Sequence, residues 1–144
     1  MELSHYSDHT AVAPHACAQP AYSMKPKGLW VSVDGPDDWA EWCRDNNFER
    51  GANRFKITVA EGPLILSTAD DVRAFGRQYA TKQDPSLSRL MLDWWRVAER
   101  WPGLIITPYQ WSCRLDMDTS WYYGWDCASG CIWNPDVITS VRKG

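Results

Sequence analysis

The chain has 144 residues and a formal net charge of −3, with 23% of its residues charged. That length is close to the usual domain size and buries one core without covalent staples, so a single domain over residues 1–144 is expected. The acidic balance excludes a general basic footprint for phosphate backbones, leaving nucleic acid to local patches, and no apolar run approaches the roughly 18 residues that span a bilayer.

The opening residues Met1-Glu2-Leu3-Ser4-His5 lack a basic stretch, so a cytoplasmic protein without a membrane partner is expected. The 5 cysteines, Cys17, Cys43, Cys113, Cys127 and Cys131, form an odd set without a CxxC pair, which predicts free thiols rather than a disulfide framework. Cys127 and Cys131 together with His5, His9 and His15 match no standard ligand spacing, and no metal site is expected.

Residues 2–7 alternate like a short strand. Residues 8–27 carry Pro14, Pro20 and Pro26 without periodicity and read as a long loop, a length usually reserved for lids or binding segments. Gly28-Leu29-Trp30-Val31-Ser32-Val33 is a strand by its β-branched and aromatic content, ended by Asp34-Gly35. A helix is expected from Pro36, with Asp37 and Asp38 near its positive end and Trp39, Trp42 and Cys43 as its core face. Residues 55–59 form an alternating strand, residues 61–63 a turn and residues 64–66 a short apolar strand. Ser67 or Thr68 then caps a helix with Asp70 and Asp71 in its first turn and Val72, Phe75 and Tyr79 as its buried stripe. A longer helix is predicted from about Ser86 to Trp101, with Leu87, Leu90, Met91, Trp94, Val97 and Ala98 facing the core and Asp93, Arg96 and Arg100 facing water; Pro102-Gly103 stops it. Residues 104–107 are a buried strand, the last strands lie between 110 and 133, and residues 141–144 are a polar tail. Strands and helices without regular β-α-β alternation indicate an α+β fold.

The segment from Trp121 to Trp133 gathers Trp121, Tyr122, Tyr123, Trp125 and Trp133 around Asp126, with Gly124 and Gly130 between them. It reads as a stacking surface with an acid held among flat rings, suited to glycosidic or nucleotide chemistry. The alternative is a hydrophobic strand pair with one solvated Asp.

His5-Tyr6-Ser7, Gly28-Leu29-Trp30-Val31-Ser32, the capped Asp70-Asp71-Val72-Arg73-Ala74-Phe75 helix and Gly103-Leu104-Ile105-Ile106-Thr107-Pro108-Tyr109 together resemble small ADP-ribosyltransferases. The branch they resemble is the diphtheria-toxin and poly(ADP-ribose)-polymerase-like one. The chain also looks like a set of uncharacterised phage-encoded proteins that share Lys-Pro-x-Gly-Leu-Trp-x-Ser and Gly-Trp-Asp-x-x-Ser-Gly-Cys-Ile-Trp. The resemblance covers most of the chain. It implies a split β-sheet core with a few packed helices, and NAD as the substrate of a glycosyltransferase-class enzyme.

Carried over by position, it implies that His5 holds the ribose of NAD, with Tyr6 and Ser7 beside it at the nicotinamide amide. Gly28, Leu29, Trp30 and Ser32 stand for the second-strand motif, whose aromatic stacks on nicotinamide. The late-strand glutamate of the family is absent, since no glutamate follows Glu99. Asp126, shorter by one methylene and so displaced by about 1 Å, is the available acid. Relatives without that glutamate transfer a single ADP-ribose or are inactive, so catalysis stays open.

The chemistry itself needs an anion near C1′ as nicotinamide leaves, a clamp on the leaving ring and exclusion of water. Asp126 fits the anion, Trp30 or Tyr109 the clamp, the 8–27 loop the cover, and Lys25 or Lys27 the pyrophosphate. Three functions follow: a transferase acting on a macromolecular acceptor, protein or nucleic acid, in phage-host conflict; a non-catalytic module on the same fold that binds a nucleotide or a partner protein; and an enzyme that acts on the glycosidic bond of a flipped base.

Overall fold

The computed structural model of the chain describes residues 1–81 and 90–144. Among these, 7 strands form one mixed sheet: β1 (Glu2–Ser7), β2 (Leu29–Ser32), β3 (Asn53–Val59), β4 (Leu64–Leu66), β5 (Gly103–Ile106), β6 (Ser129–Ile132) and β7 (Ile138–Lys143). Their order is β4-β5-β6-β2-β1-β3-β7, with β4 and β5 parallel and the other neighbours antiparallel. Helices α1 (Trp39–Asp45), α2 (Ala69–Tyr79), α3 (Trp94–Ala98) and α4 (Trp111–Arg114) join them, with 3-10 turns over Met117–Gly124 and Pro135–Val137. The mixture fits the α+β class. No helix among the described residues is long and apolar enough to cross a membrane.

The strands carry alternating side chains to the two faces of the sheet. Leu104, Ile106 and Cys131 face the helical layer, against Val72, Phe75 and Tyr79 of α2 and Trp94 and Val97 of α3. Ile105 and Ile132 turn to the other face with Leu3, Val31, Phe55 and Ile57. Burial of each such side chain contributes roughly 1.5–3 kcal/mol.

Helix α2 forms where its cap predicts. Thr68 Oγ1 accepts from the Asp71 N–H at 3.0 Å, Asp70 and Asp71 favour the positive end, and Val72, Phe75 and Tyr79 are buried. Helix α1 starts later than Pro36 suggests. Asp38 accepts from the Glu41 N–H at 2.9 Å and the Gly35 N–H at 3.1 Å, so the helix begins at Trp39 and Pro36 stays in the preceding turn. Trp39 and Trp42 are half-buried and lie outside both hydrophobic clusters, contrary to the expected core face; only Cys43 of that stripe is buried.

Among the described residues, the helix expected from Ser86 to Trp101 is reduced to α3, Trp94–Ala98. Residues 86–89, Leu87 included, lie outside the described residues, and residues 90–93 are not helical. Leu92 exchanges backbone hydrogen bonds with Ser23 at 2.9 and 3.2 Å, and the Asp93 N–H donates to Tyr79 O. Asp93, expected on a wet face, instead accepts from the Arg96 N–H at 3.1 Å and starts α3 at Trp94.

Within the region expected to hold the last strands, Trp111–Arg114 and Met117–Gly124 are helical. Asp116 caps the 117–124 turn, and Thr119 donates to Cys113 O at 2.7 Å. The expected stacking surface is mostly core: Trp121 and Tyr122 are 0% exposed, Trp125 1% and Trp133 4%, leaving Tyr123 at 39%. The residues read as a polar tail form edge strand β7, where Arg142 sits opposite Lys56 and pairs with Glu2 at 3.0 Å.

Gly76 on α2 makes room for this aromatic core, since a Cβ there would lie 2.7 Å from Trp121 Nε1. In an uncrowded helix Gly→Ala stabilises by about 0.5–1 kcal/mol. Here Gly76→Ala is expected to lower unfolding free energy by about 1–3 kcal/mol in urea titration, because the fully buried indole has nowhere to move.

Candidate functional site

The sheet is thinnest between β1 and β2, which pair in register at a single position, Ser4 opposite Ser32. Beyond it the strands part. His5 Nδ1 meets Trp30 O at 2.7 Å, and a carbonyl only accepts, so Nδ1 carries the proton of this bond.

A cleft of about 290 Å³ opens at this seam, lined by His5, Tyr6, Trp30, Arg50 and Asp126 among others. Its floor is a row of small buried hydroxyls across three strands, Ser4 opposite Ser32 and Ser32 opposite Ser129. Trp30 is half-buried, set edge-to-face on Trp125 with centroids 4.9 Å apart, and Lys25 Nζ lies 4.9 Å from its ring. The Arg50 guanidinium lies 5.3 Å from the Tyr6 ring. Lys25 and Arg50 thus bring two cations to a cleft whose acid is Asp126.

Asp126 is half-buried and held from behind. Arg114 Nη1 lies 3.6 Å from its Oδ1 and donates to Tyr109 Oη at 2.9 Å, while Tyr109 donates to Trp125 O at 2.6 Å. Burial pushes the Tyr109 hydroxyl above its ordinary range despite the Arg114 bond, so it stays neutral. Burial likewise pushes the Cys127 thiol up to about 12. It lines the cleft as a thiol rather than a thiolate nucleophile.

Of the residues singled out in the sequence, His5, Tyr6, Trp30, Ser32 and Asp126 come together at the cleft, with Lys25. Ser7, Lys27, Gly28, Leu29 and Tyr109 do not line it. Ser7 accepts from the His9 N–H at the end of β1, and Lys27 is exposed, its backbone clamped by Gln19 at 2.6 and 3.0 Å. Gly28 is required by close approach, since a Cβ would fall 2.4 Å from Ile132 O. Leu29 packs with the second hydrophobic cluster, and Tyr109 is buried in the first, too far inside to clamp a ring. Ser4, Trp39, Arg50 and Ser129 line the cleft without having been read as site residues, and Arg114 reaches it through Asp126. The signal for the serines was polar side chains at inward positions of apolar strands.

Asp34 ties the two halves of the sheet, accepting from Ser4 Oγ at 2.9 Å, Arg54 Nη2 at 2.7 Å and Lys56 Nζ at 3.0 Å. Burial alone would raise its pKa. The bonds from Ser4 and Lys56 and the charges of Arg54 and Lys56 outweigh that and hold it below 3.8. A depressed carboxylate stabilises the fold above its ordinary pKa and loses that contribution as pH falls through the native value. The melting-temperature gap between the natural chain and Asp34→Asn is therefore expected to be full near neutral pH and to shrink below 3.8. All the cysteines are free, and Cys17 alone is not buried. Native alkylation followed by peptide mass mapping is expected to label Cys17 first and the others only after unfolding.

Comparison with protein-family models, with curated proteins and with solved structures returns no match.

Proposed function

We propose that this cleft takes the nicotinamide-ribose half of NAD and that the chain is a transferase of the ADP-ribosyltransferase fold, acting on a macromolecular acceptor. The observation that carries the reading is the meeting of His5, Trp30 and Asp126, from three distant segments, on one cleft where β1 and β2 part. At about 290 Å³ it lies at the small end of ligand pockets, about 300–1,000 Å³, which suits one ring and one sugar with the adenosine half outside.

On this reading the roles are as follows. His5 Nε2 accepts from a ribose hydroxyl, since Nδ1 is committed to Trp30 O. Trp30 packs on the nicotinamide ring, and Lys25 and Arg50 meet the phosphates. Asp126 sets a negative charge against the C1′ cation as the nicotinamide nitrogen leaves with the bonding pair. The acceptor's nucleophile then bonds to C1′ and gives up its proton to solvent water.

A second reading, binding without transfer, is favoured by the Asp126–Arg114 pair at 3.6 Å, which neutralises part of the charge the reaction needs. The resemblance to phage-encoded proteins supports a setting in phage-host conflict for either.

Calorimetry with NAD and a nicotinamide-release assay test both. His5→Ala is expected to weaken NAD affinity by about 3–10-fold, one lost hydrogen bond. Asp126→Asn should leave affinity nearly unchanged and cut nicotinamide release about 100-fold or more, the pattern of a contact made in the transition state. Binding without any release by the natural chain would select the second reading. Absence of NAD binding would end the transferase reading and leave, of the second, only the binding of a partner protein or another nucleotide.

A further inference from the structure

Trp30, the ring assigned to nicotinamide, already carries a cation. The Lys25 ammonium lies 4.9 Å from its centroid, and the lysine stem runs along Gly124, where a Cβ would sit 3.1 Å from Lys25 Cε. All three residues line the cleft, so this side chain lies across its aromatic end. Trp125 meets the same indole edge-to-face at 4.9 Å. A planar ligand and the ammonium therefore compete for what remains of the Trp30 ring.

The backbone at Lys25 is pinned while its side chain is not. The Lys25 N–H donates to Ser23 Oγ at 3.3 Å, and Ser23 exchanges backbone hydrogen bonds with Leu92 at 3.2 and 2.9 Å. On the other side Pro26 is buried and the backbone of Lys27 is clamped by Gln19. Lys25 itself is exposed and has no ion-pair partner among the described residues. A lysine carries its charge on a flexible aliphatic stem, so the amine changes partners without any movement of the loop.

Arg50, the other cation of the cleft, is differently placed. Its guanidinium lies 5.3 Å from the Tyr6 ring, and its carbonyl accepts from Trp39 Nε1 at 3.2 Å. It is paired with a different ring, which makes Lys25 the cation that a ligand on Trp30 has to displace.

We propose that Lys25 is a specificity-determining residue, whose amine exchanges Trp30 for the pyrophosphate as the dinucleotide enters. This rests on the transferase reading and deepens it. A ligand with both ring and phosphates displaces the ammonium and gives it a charge-assisted bond instead. Free nicotinamide displaces it and offers no new partner. The cleft thus favours the intact dinucleotide over its own leaving group, which competes with the returning amine once the bond to the ribose is broken.

Calorimetry of nicotinamide, ADP-ribose and NAD on the natural chain and on Lys25→Ala tests the exchange. The variant is expected to bind nicotinamide about two- to fivefold more tightly, the worth of a cation over an exposed ring. It should bind ADP-ribose about three- to tenfold more weakly, the worth of the phosphate contact, with NAD weakened less. Lys25→Gln, which keeps most of the stem beside Gly124, should shift the two fragments in the same directions. A lysine that only supports the fold would move both fragments the same way.

Unchanged, weaker or undetectable nicotinamide binding in both variants shows that the amine does not compete for Trp30. Unchanged ADP-ribose binding shows that it does not reach the phosphates, and either result overturns the exchange. If the natural chain binds NAD, such a result removes Lys25 alone and leaves the transferase reading standing. A natural chain that binds no NAD removes the transferase, and the exchange with it.

Discussion

The carbonyl of Trp30 takes its hydrogen bond from an imidazole, His5 Nδ1 at 2.7 Å, where a continuous ladder would offer a backbone N–H. Backbone polar groups must be satisfied, and a side chain reaches farther than a main-chain donor. The substitution lets β1 and β2 separate just past Ser4 and Ser32 without orphaning the carbonyl. The small serines beneath keep the gap open, and Asp34 with Arg54 and Lys56 ties the halves together beside it.

This division governs where the tryptophans go. Trp94, Trp121, Trp125 and Trp133 fill the helical side of the sheet and make a stiff wall behind the cleft. Trp30 leans on that wall through Trp125, so its ring is positioned by the core while one side remains at the opening. Trp39 sits at the mouth with Trp42 stacked on it, on a helix whose start is set by Asp38. Core packing and the lining of the cleft thus share one residue type, separated by which side of the seam each ring occupies.

Much of the sheet was legible. β1, β2, β4 and β5 announce themselves by alternation or short apolar runs, and α2 by Thr68 with Asp71. The failures come from distant contacts. Aromatic residues over 110–128 resemble strand sequence, yet the capped Asp116 turn and the Thr119 bond to Cys113 O wind them into helical turns. Residues 90–93 have helical spacing, but Leu92 pairs with Ser23, far away in sequence. Of the residues that line the cleft, His5 and Trp30 were singled out by the resemblance and Asp126 by the aromatic residues around it. Arg50 and Arg114 were not, because an arginine in a turn resembles any surface charge until the fold sets it beside Tyr6 or Asp126.

The two edges of the sheet carry a consequence for solubility. β4 spans only Leu64–Leu66, and β7 ends in Arg142 and Lys143. Unpaired strand edges are templates for other chains, and short length and positive charge are the usual protections. An incoming strand finds three residues of backbone on one side and like charges toward the end of the other. Arg142 and Lys143 therefore work against edge-to-edge association.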